Sequence, residues 1–185
     1  MKPKILFILH LPPPIHGAAM MGKYIQESEL VNSSFDCFCI NLATAGSLSD
    51  IGHISLKKLL KYFFLLKHIS HVVRVIRPEL VYITPNAGGK AFFKDFIVVQ
   101  MLKSMGCKVI AHYHNKGVSV YQSKWVYNFF YKRFFSNLKV ILLAENLYKD
   151  IAKYVKREDV YICPNGIPNL RKVEFEARRK NEVPY

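Results

Sequence analysis

Short, continuous apolar runs alternate along this chain with longer segments in which apolar positions recur every three or four residues. The runs are Lys4–His10 (KILFILH), Phe35–Asn41 (FDCFCIN), Leu80–Thr84, Lys108–His114, Leu138–Leu143 and Val160–Cys163. Runs of that length, apolar on both sides, predict strands of a buried parallel sheet. The longer segments, Ala18–Leu30, Ser55–Arg77, Gly88–Met105, Gln122–Ser136 and Glu145–Val155, predict helices. The longest carries Leu56, Leu59, Leu60, Phe63, Leu66, Ile69, Val73 and Ile76 as its apolar stripe, with Ser55 as N-cap and Pro78 as stop. Helix after strand throughout implies right-handed crossovers. The fold class is therefore α/β, an open parallel sheet of about six strands with helices on both faces. Leu42–Gly52 reads as a Ser/Gly/Asp loop with room for one extra short edge strand.

In such a sheet, ligands sit beyond the carboxyl ends of the strands, where the strand order reverses. With the first strand central and the second and third on its two sides, the crevice falls between the loops after His10 and Thr84. The first loop, HLPPPIHGAAM, places His16, Gly17, Ala18 and Ala19 where a helix begins. Small residues there let a ligand approach the backbone, and the first helical N–H groups attract anions. The spacing is neither G-x-G-x-x-G nor a P-loop, so both common nucleotide fingerprints are absent. The same residues also fit a plain structural turn. The loop after the third strand, TPNAGG, presents Asn86 and two glycines. The fourth strand ends in AHYHNKG, where His112 and His114 share a face and Tyr113 points the other way. His10, His16, His112 and His114 are thus expected to gather at one end of the sheet. No carboxylate or cysteine joins them in sequence, which favours substrate binding over a metal site, and a packing role is the plain alternative.

Composition narrows the classes. The chain is 51% hydrophobic, too apolar for disorder. No stretch approaches the ~18 apolar residues of a membrane span. The start imitates a signal peptide, but its apolar run, Ile5–Leu9, is short and prolines follow. Cys37, Cys39, Cys107 and Cys163 lie in the strand runs without a C-x-x-C pair, so reduced core thiols of a cytoplasmic protein are expected. Lys and Arg number 27 against 13 Asp and Glu, a net charge of +14. That balance favours an anionic partner. No nucleic-acid module is present and the basic residues are spread through the helices, so nucleic acid is not the expected one. Gln122–Ser136 (QSKWVYNFFYKRFFS) mixes seven aromatics with Lys124, Lys132 and Arg133. This fits a helix lying on anionic lipid, or a buried helix whose cations reach solvent.

The Gly-containing first loop, HYHN at the end of the fourth strand and PNGI after the sixth (Pro164–Ile167) together resemble one family. They look like the N-terminal domain of a retaining glycosyltransferase of family four, with the two-domain GT-B architecture. The resemblance covers residues 1–169. PNGI is its most specific element. The family carries two adjacent glycines in the first loop, where this chain has Gly17 and Ala18.

The resemblance implies a Rossmann-like domain that binds the acceptor, with 170–185 as the linker to a second domain that binds the nucleotide-sugar donor. It implies half an enzyme, inactive alone, acting at the inner face of the membrane on a saccharide or lipid-linked acceptor. His114, followed by Asn115, matches the family's active-site histidine best, and His112 is the weaker candidate. His16, Gly17 and Ala18 would face donor phosphate and Asn86 would line the cleft. The nucleotide-sugar is a substrate, and neither a cofactor nor a metal is implied. A face normally covered by the second domain's last helix would be open, for which self-association of the chain is expected. The rival reading is a non-catalytic basic α/β adaptor for an anionic membrane or a phosphorylated ligand.

Overall fold

The computed structural model describes residues 1–13, 15–42 and 56–166, without the side chains of residues 57 and 58. The expected loop beyond Leu42, the Ser55 cap and the 170–185 linker lie outside the described residues. Six strands form one all-parallel sheet: β1 (Lys4–Leu9), β2 (Asp36–Asn41), β3 (Leu80–Ile83), β4 (Val109–Tyr113), β5 (Lys139–Leu142) and β6 (Val160–Ile162). Their order is β2-β1-β3-β4-β5-β6, with β1 flanked by β2 and β3, the arrangement on which the expected crevice depends.

The described residues also form seven α-helices: α1 (Gly17–Gln26), α2 (Glu29–Ser34), α3 (Leu56–Ile76), α4 (Gly89–Ser104), α5 (Val118–Tyr121), α6 (Trp125–Phe135) and α7 (Tyr148–Ile151). A right-handed crossover puts its helix on a face set by the direction of travel. The chain leaves β1 in one direction to reach β2 and thereafter moves only in the other. Only α1 and α2 therefore pack on one face, over Ile5, Phe7 and Leu9. All later helices pack on the opposite face, against Leu6, Ile8, Val81, Ile83, Ala111, Val140 and Leu142. The two residue sets alternate along β1, as period two demands.

The larger core centres on Phe92 of α4, which is fully buried. Its ring lies 4.6 Å from Tyr131, 5.5 Å from Phe134 and 6.1 Å from Tyr127. Phe93 and Phe96 extend the cluster to Phe130. This aromatic knit absorbs most of α6: Tyr131, Phe134 and Phe135 are buried, and only Trp125 and Phe129 remain strongly exposed. Of the two readings of α6, most of its aromatics follow the buried one, with Lys124, Lys132 and Arg133 exposed.

Other differences have local causes. The single helix expected over Ala18–Leu30 breaks because Ser28 starts a new one, its Oγ accepting from Val31 N–H. Most of Glu145–Val155 is turn and 3-10 structure around one α-helical turn. The apolar stripe assigned to α3 is covered only from its third turn, where Leu66 is half-buried. Tyr62, Ile69 and Val73 face the core, whereas Leu56, Leu59, Leu60 and Phe63 are exposed. The cysteines are free but not core residues, since Cys39 and Cys163 are exposed and Cys37 and Cys107 half-buried. Cys37 and Cys39 lie on edge strand β2, and Cys163 directly follows edge strand β6.

Candidate functional site

The strand order reverses between β1 and β3, so their carboxyl ends open into the crevice that topology predicts. On one side, β1 delivers His10 and the loop returns into α1. His16 is the N-cap of α1: its backbone is extended and its Nδ1 accepts from Ala19 N–H at 3.3 Å. The cap explains why a histidine precedes the small residues. Gly17 is exposed, and a side chain built there would meet nothing within 4 Å. Gly22, one helical turn later, is small for another reason. A Cβ there would lie 2.2 Å from the His10 carbonyl oxygen, so this glycine lets α1 pack directly against the end of β1.

On the other side, the face shared by Tyr82 and His112 continues to His114. The Tyr82 hydroxyl and His112 Nδ1 share a hydrogen bond. The His112 and His114 ring centroids lie 4.2 Å apart, with the rings tilted by 38°. His114 Nδ1 lies 3.1 Å from Asn165 Oδ1, an acceptor. In the neutral ring this places the proton on Nδ1 and leaves Nε2 as an acceptor. The four histidines do converge. The His10 ring lies 6.0 Å from His16 and is close enough to His114 for electrostatic coupling.

Burial decides their charge. His10 is pushed down to about 4 by desolvation first, then by His16, Lys94 and His114. His112 is pushed down to about 4 by desolvation and His114, with the Cys163 backbone opposing. His114 is lowered by desolvation, opposed by its bond to Asn165. All three are therefore neutral at pH 7 and can donate to or accept from hydroxyl groups. Their Nε2 atoms, together with Thr84 Oγ1, are buried and make no hydrogen bond. Such orphaned atoms are rare in a finished core, and a group of them on the ends of three adjacent strands is what a ligand would satisfy.

Two carboxylates brace the surrounding loops. Asp95 on α4 is buried, and its Oδ2 accepts from both N and Nδ2 of Asn86 at 2.8 Å. Desolvation pushes Asp95 up to about 6, with the two Asn86 bonds opposing. Asn86 is thus turned toward Asp95 by its amide nitrogen. Asn115 Oδ1 accepts from Ala87 N–H at 3.2 Å, tying the loop after β4 to the loop after β3. Asp150 on α7 accepts from the N–H groups of Gly117, Val118 and Ser119 at 2.9, 3.0 and 3.0 Å and from the Ser119 hydroxyl. Those bonds hold its carboxyl below the usual range although burial acts the other way. Gly117 has φ +149, which accounts for the glycine after HYHNK.

Sequence reasoning foresaw the gathering of His10, His16, His112 and His114 and the setting of Gly17, Ala18, Asn86 and Asn115. It missed Tyr82, Thr84, Asp95, Asp150 and Asn165. A lone carboxylate beside Lys94 in the mostly apolar Phe92–Val99 stretch was a usable signal for Asp95. Asp150 carried none, since its partners are about 30 residues away in sequence. Among the described residues no cluster of three or more His, Cys, Asp or Glu side chains is arranged to hold a metal ion. A depression of ≈ 380 Å³ lies at the amino ends of β1 and β2, lined in part by Lys2, Lys4 and Asp36, and none of the four histidines borders it. Comparison with protein families, curated proteins and solved structures finds no match for this chain.

Proposed function

We propose that this chain is the acceptor-binding domain of a two-domain sugar transferase that moves a sugar from a nucleotide-sugar to a cell-surface polysaccharide or glycolipid. The observation that carries the reading is the set of buried, unpartnered polar atoms on His10, Thr84, His112 and His114 at the topological switch point. Neutral imidazoles and a hydroxyl suit a ligand rich in neutral hydroxyl groups better than an anion. The open space above Gly17, at the positive end of α1, supports a phosphate approaching from the β1 side. In this reading His114 Nε2 accepts a hydrogen bond from the transferred sugar, and His112 is held in line by Tyr82. Asn86 and Asn115 keep the two loops at a fixed separation. Gly17 and Ala18 face the donor phosphates, most of whose contacts belong to a partner domain. The protein works at the inner face of an anionic membrane.

The test has two parts. Titration of the 185-residue chain with uridine and guanosine diphosphate sugars is expected to give no micromolar binding. Tight binding would overturn the assignment of the donor site to another domain. In an enzyme pairing this domain with a donor-binding domain, His114→Ala is expected to lower transfer by about a hundredfold or more with the fold intact. Near-normal turnover would make His114 a packing residue.

A further inference from the structure

We propose that the first turns of α3 are a docking surface for an anionic lipid bilayer. The proposal does not rest on sugar transfer. Leu56, Leu59, Leu60, Phe63 and Phe64 are spaced so that they fall on one side of the helix. They are 74%, 60%, 51%, 50% and 63% exposed. This stripe is turned well away from the stripe that holds α3 to the sheet, Tyr62, Ile69 and Val73. The helix thus has two apolar sides, of which the domain uses one.

Tyr62, Ile69 and Val73 lie close to one line along the helix, and that line rests on the domain. At about 100° per residue, Leu56, Leu60 and Phe63 fall more than a quarter-turn away from it, so the helix carries them on its outer side. The innermost anchor is Tyr62, whose hydroxyl donates to the Lys94 carbonyl at 2.6 Å.

Charge selects the occupant. Lys61 borders the stripe, and Lys67 and Arg74 continue its line down the helix, all exposed. Lys67 Nζ sits 4.7 Å from the centre of the Phe63 ring. On a chain of net charge +14, a second copy would bring like charges face to face. An anionic bilayer gains from each cation and takes the Leu and Phe side chains into its interface. The same end of the domain exposes Val120 and Trp125, with Lys124 beside them in sequence. Among the described residues no helix is long and apolar enough to cross a membrane, so the contact is interfacial.

Co-sedimentation of the 185-residue chain with saccharide-free vesicles tests this. Vesicles of phosphatidylcholine mixed with phosphatidylglycerol are expected to bind the chain, pure phosphatidylcholine far less, and about 0.5 M salt to weaken binding. The double variants Leu59→Glu/Phe63→Glu and Lys61→Glu/Lys67→Glu are each expected to lower binding by about tenfold or more. Their melting temperatures should match the parent's, because these side chains are exposed. Three results overturn the proposal: no binding to anionic vesicles, unchanged binding by both variants, or a dimer in light scattering that the apolar variant abolishes. Because the vesicles carry no sugar, failure here removes the membrane location but leaves the sugar-transfer site standing, and loss of the sugar-transfer site leaves this surface standing.

Discussion

Two ring clusters in this domain have opposite polar endings. In the aromatic cluster beneath α4 and α6, the hydroxyls find acceptors: Tyr131 donates to the Ala87 carbonyl at 2.6 Å and Tyr154 to Asn128 Oδ1 at 2.9 Å. Tyr62 and Tyr148 reach backbone carbonyls in the same way. Tyr113 is the exception, buried with its hydroxyl unpaired. In the histidine cluster at the carboxyl ends of β1 and β4, each of three rings leaves its Nε2 without a partner. A core that must only hold together satisfies its polar atoms, since each buried orphan costs about 1–3 kcal/mol. A site for another molecule keeps such atoms open. The first cluster should therefore answer to substitution in stability, the second in pH response and ligand binding.

The sharpest test of the first half is Phe92→Ala. The ring is fully buried and touches Phe93, Phe96, Tyr127, Tyr131 and Phe134. Removing it leaves a cavity that its rigid neighbours cannot close, so a loss of about 3–5 kcal/mol is expected in urea unfolding. A loss below about 1 kcal/mol would show that the cluster repacks freely and is no keystone.

That cluster was only half legible in the sequence. The strands were readable because β1 alternates between two covered faces and so must be apolar at every position. The switch point followed once β1 was placed between β2 and β3, and with it the setting of Gly17, Asn86 and His114 at the carboxyl ends of the strands. Helix α6 misled because seven aromatics exceed what one helix face can bury against a sheet. The excess is absorbed by α4, whose Phe92, Phe93 and Phe96 offer a second aromatic surface, and no local period announces that pairing. Helix α3 misled in the other direction: its apolar period is continuous but drifts round the helix, so Leu56, Leu60 and Phe63 face away from the side that Tyr62, Ile69 and Val73 hold against the domain. Asp95 and Asp150 act through loops distant in sequence, and only the folded chain brings those together.

The second half of the comparison is tested by acid. His10 and His112 are lowered from 6.5 to about 4, so the folded state binds fewer protons than the unfolded state between those values. Their contribution is complete above pH 6.5 and is lost as pH falls toward 4. His114 acts in the same direction. Asp95 opposes them. Raised from 3.8 to about 6, it makes the folded state relatively more stable as pH falls through that window. The net loss between pH 7 and 4 should be on the order of 3 kcal/mol. Asp95→Asn removes the opposing contribution, so its decline with acid should be steeper than the parent's. Urea midpoints at several pH values read both slopes. A flat profile for the parent would mean that the histidines are solvated and not buried as a group.

The smallest expected effect discriminates best. His114→Ala deletes a ring whose centre lies 4.2 Å from that of His112 and that bonds Asn165 at 3.1 Å, so some packing and one hydrogen bond are lost. The same change removes one buried Nε2 that has no partner. A net hydrogen bond is worth about 0.5–1.5 kcal/mol, and relieving an orphaned polar atom returns a similar amount. The two nearly cancel, and the unfolding free energy at pH 7 should move by less than about 1 kcal/mol. A residue that holds the fold cannot be removed so lightly, whereas one kept for a ligand can. Should His114→Ala instead lose about 3 kcal/mol or more, as Phe92→Ala is expected to, the two clusters would be of one kind. The histidines would then be a second core, and the crevice would have no claim to a ligand.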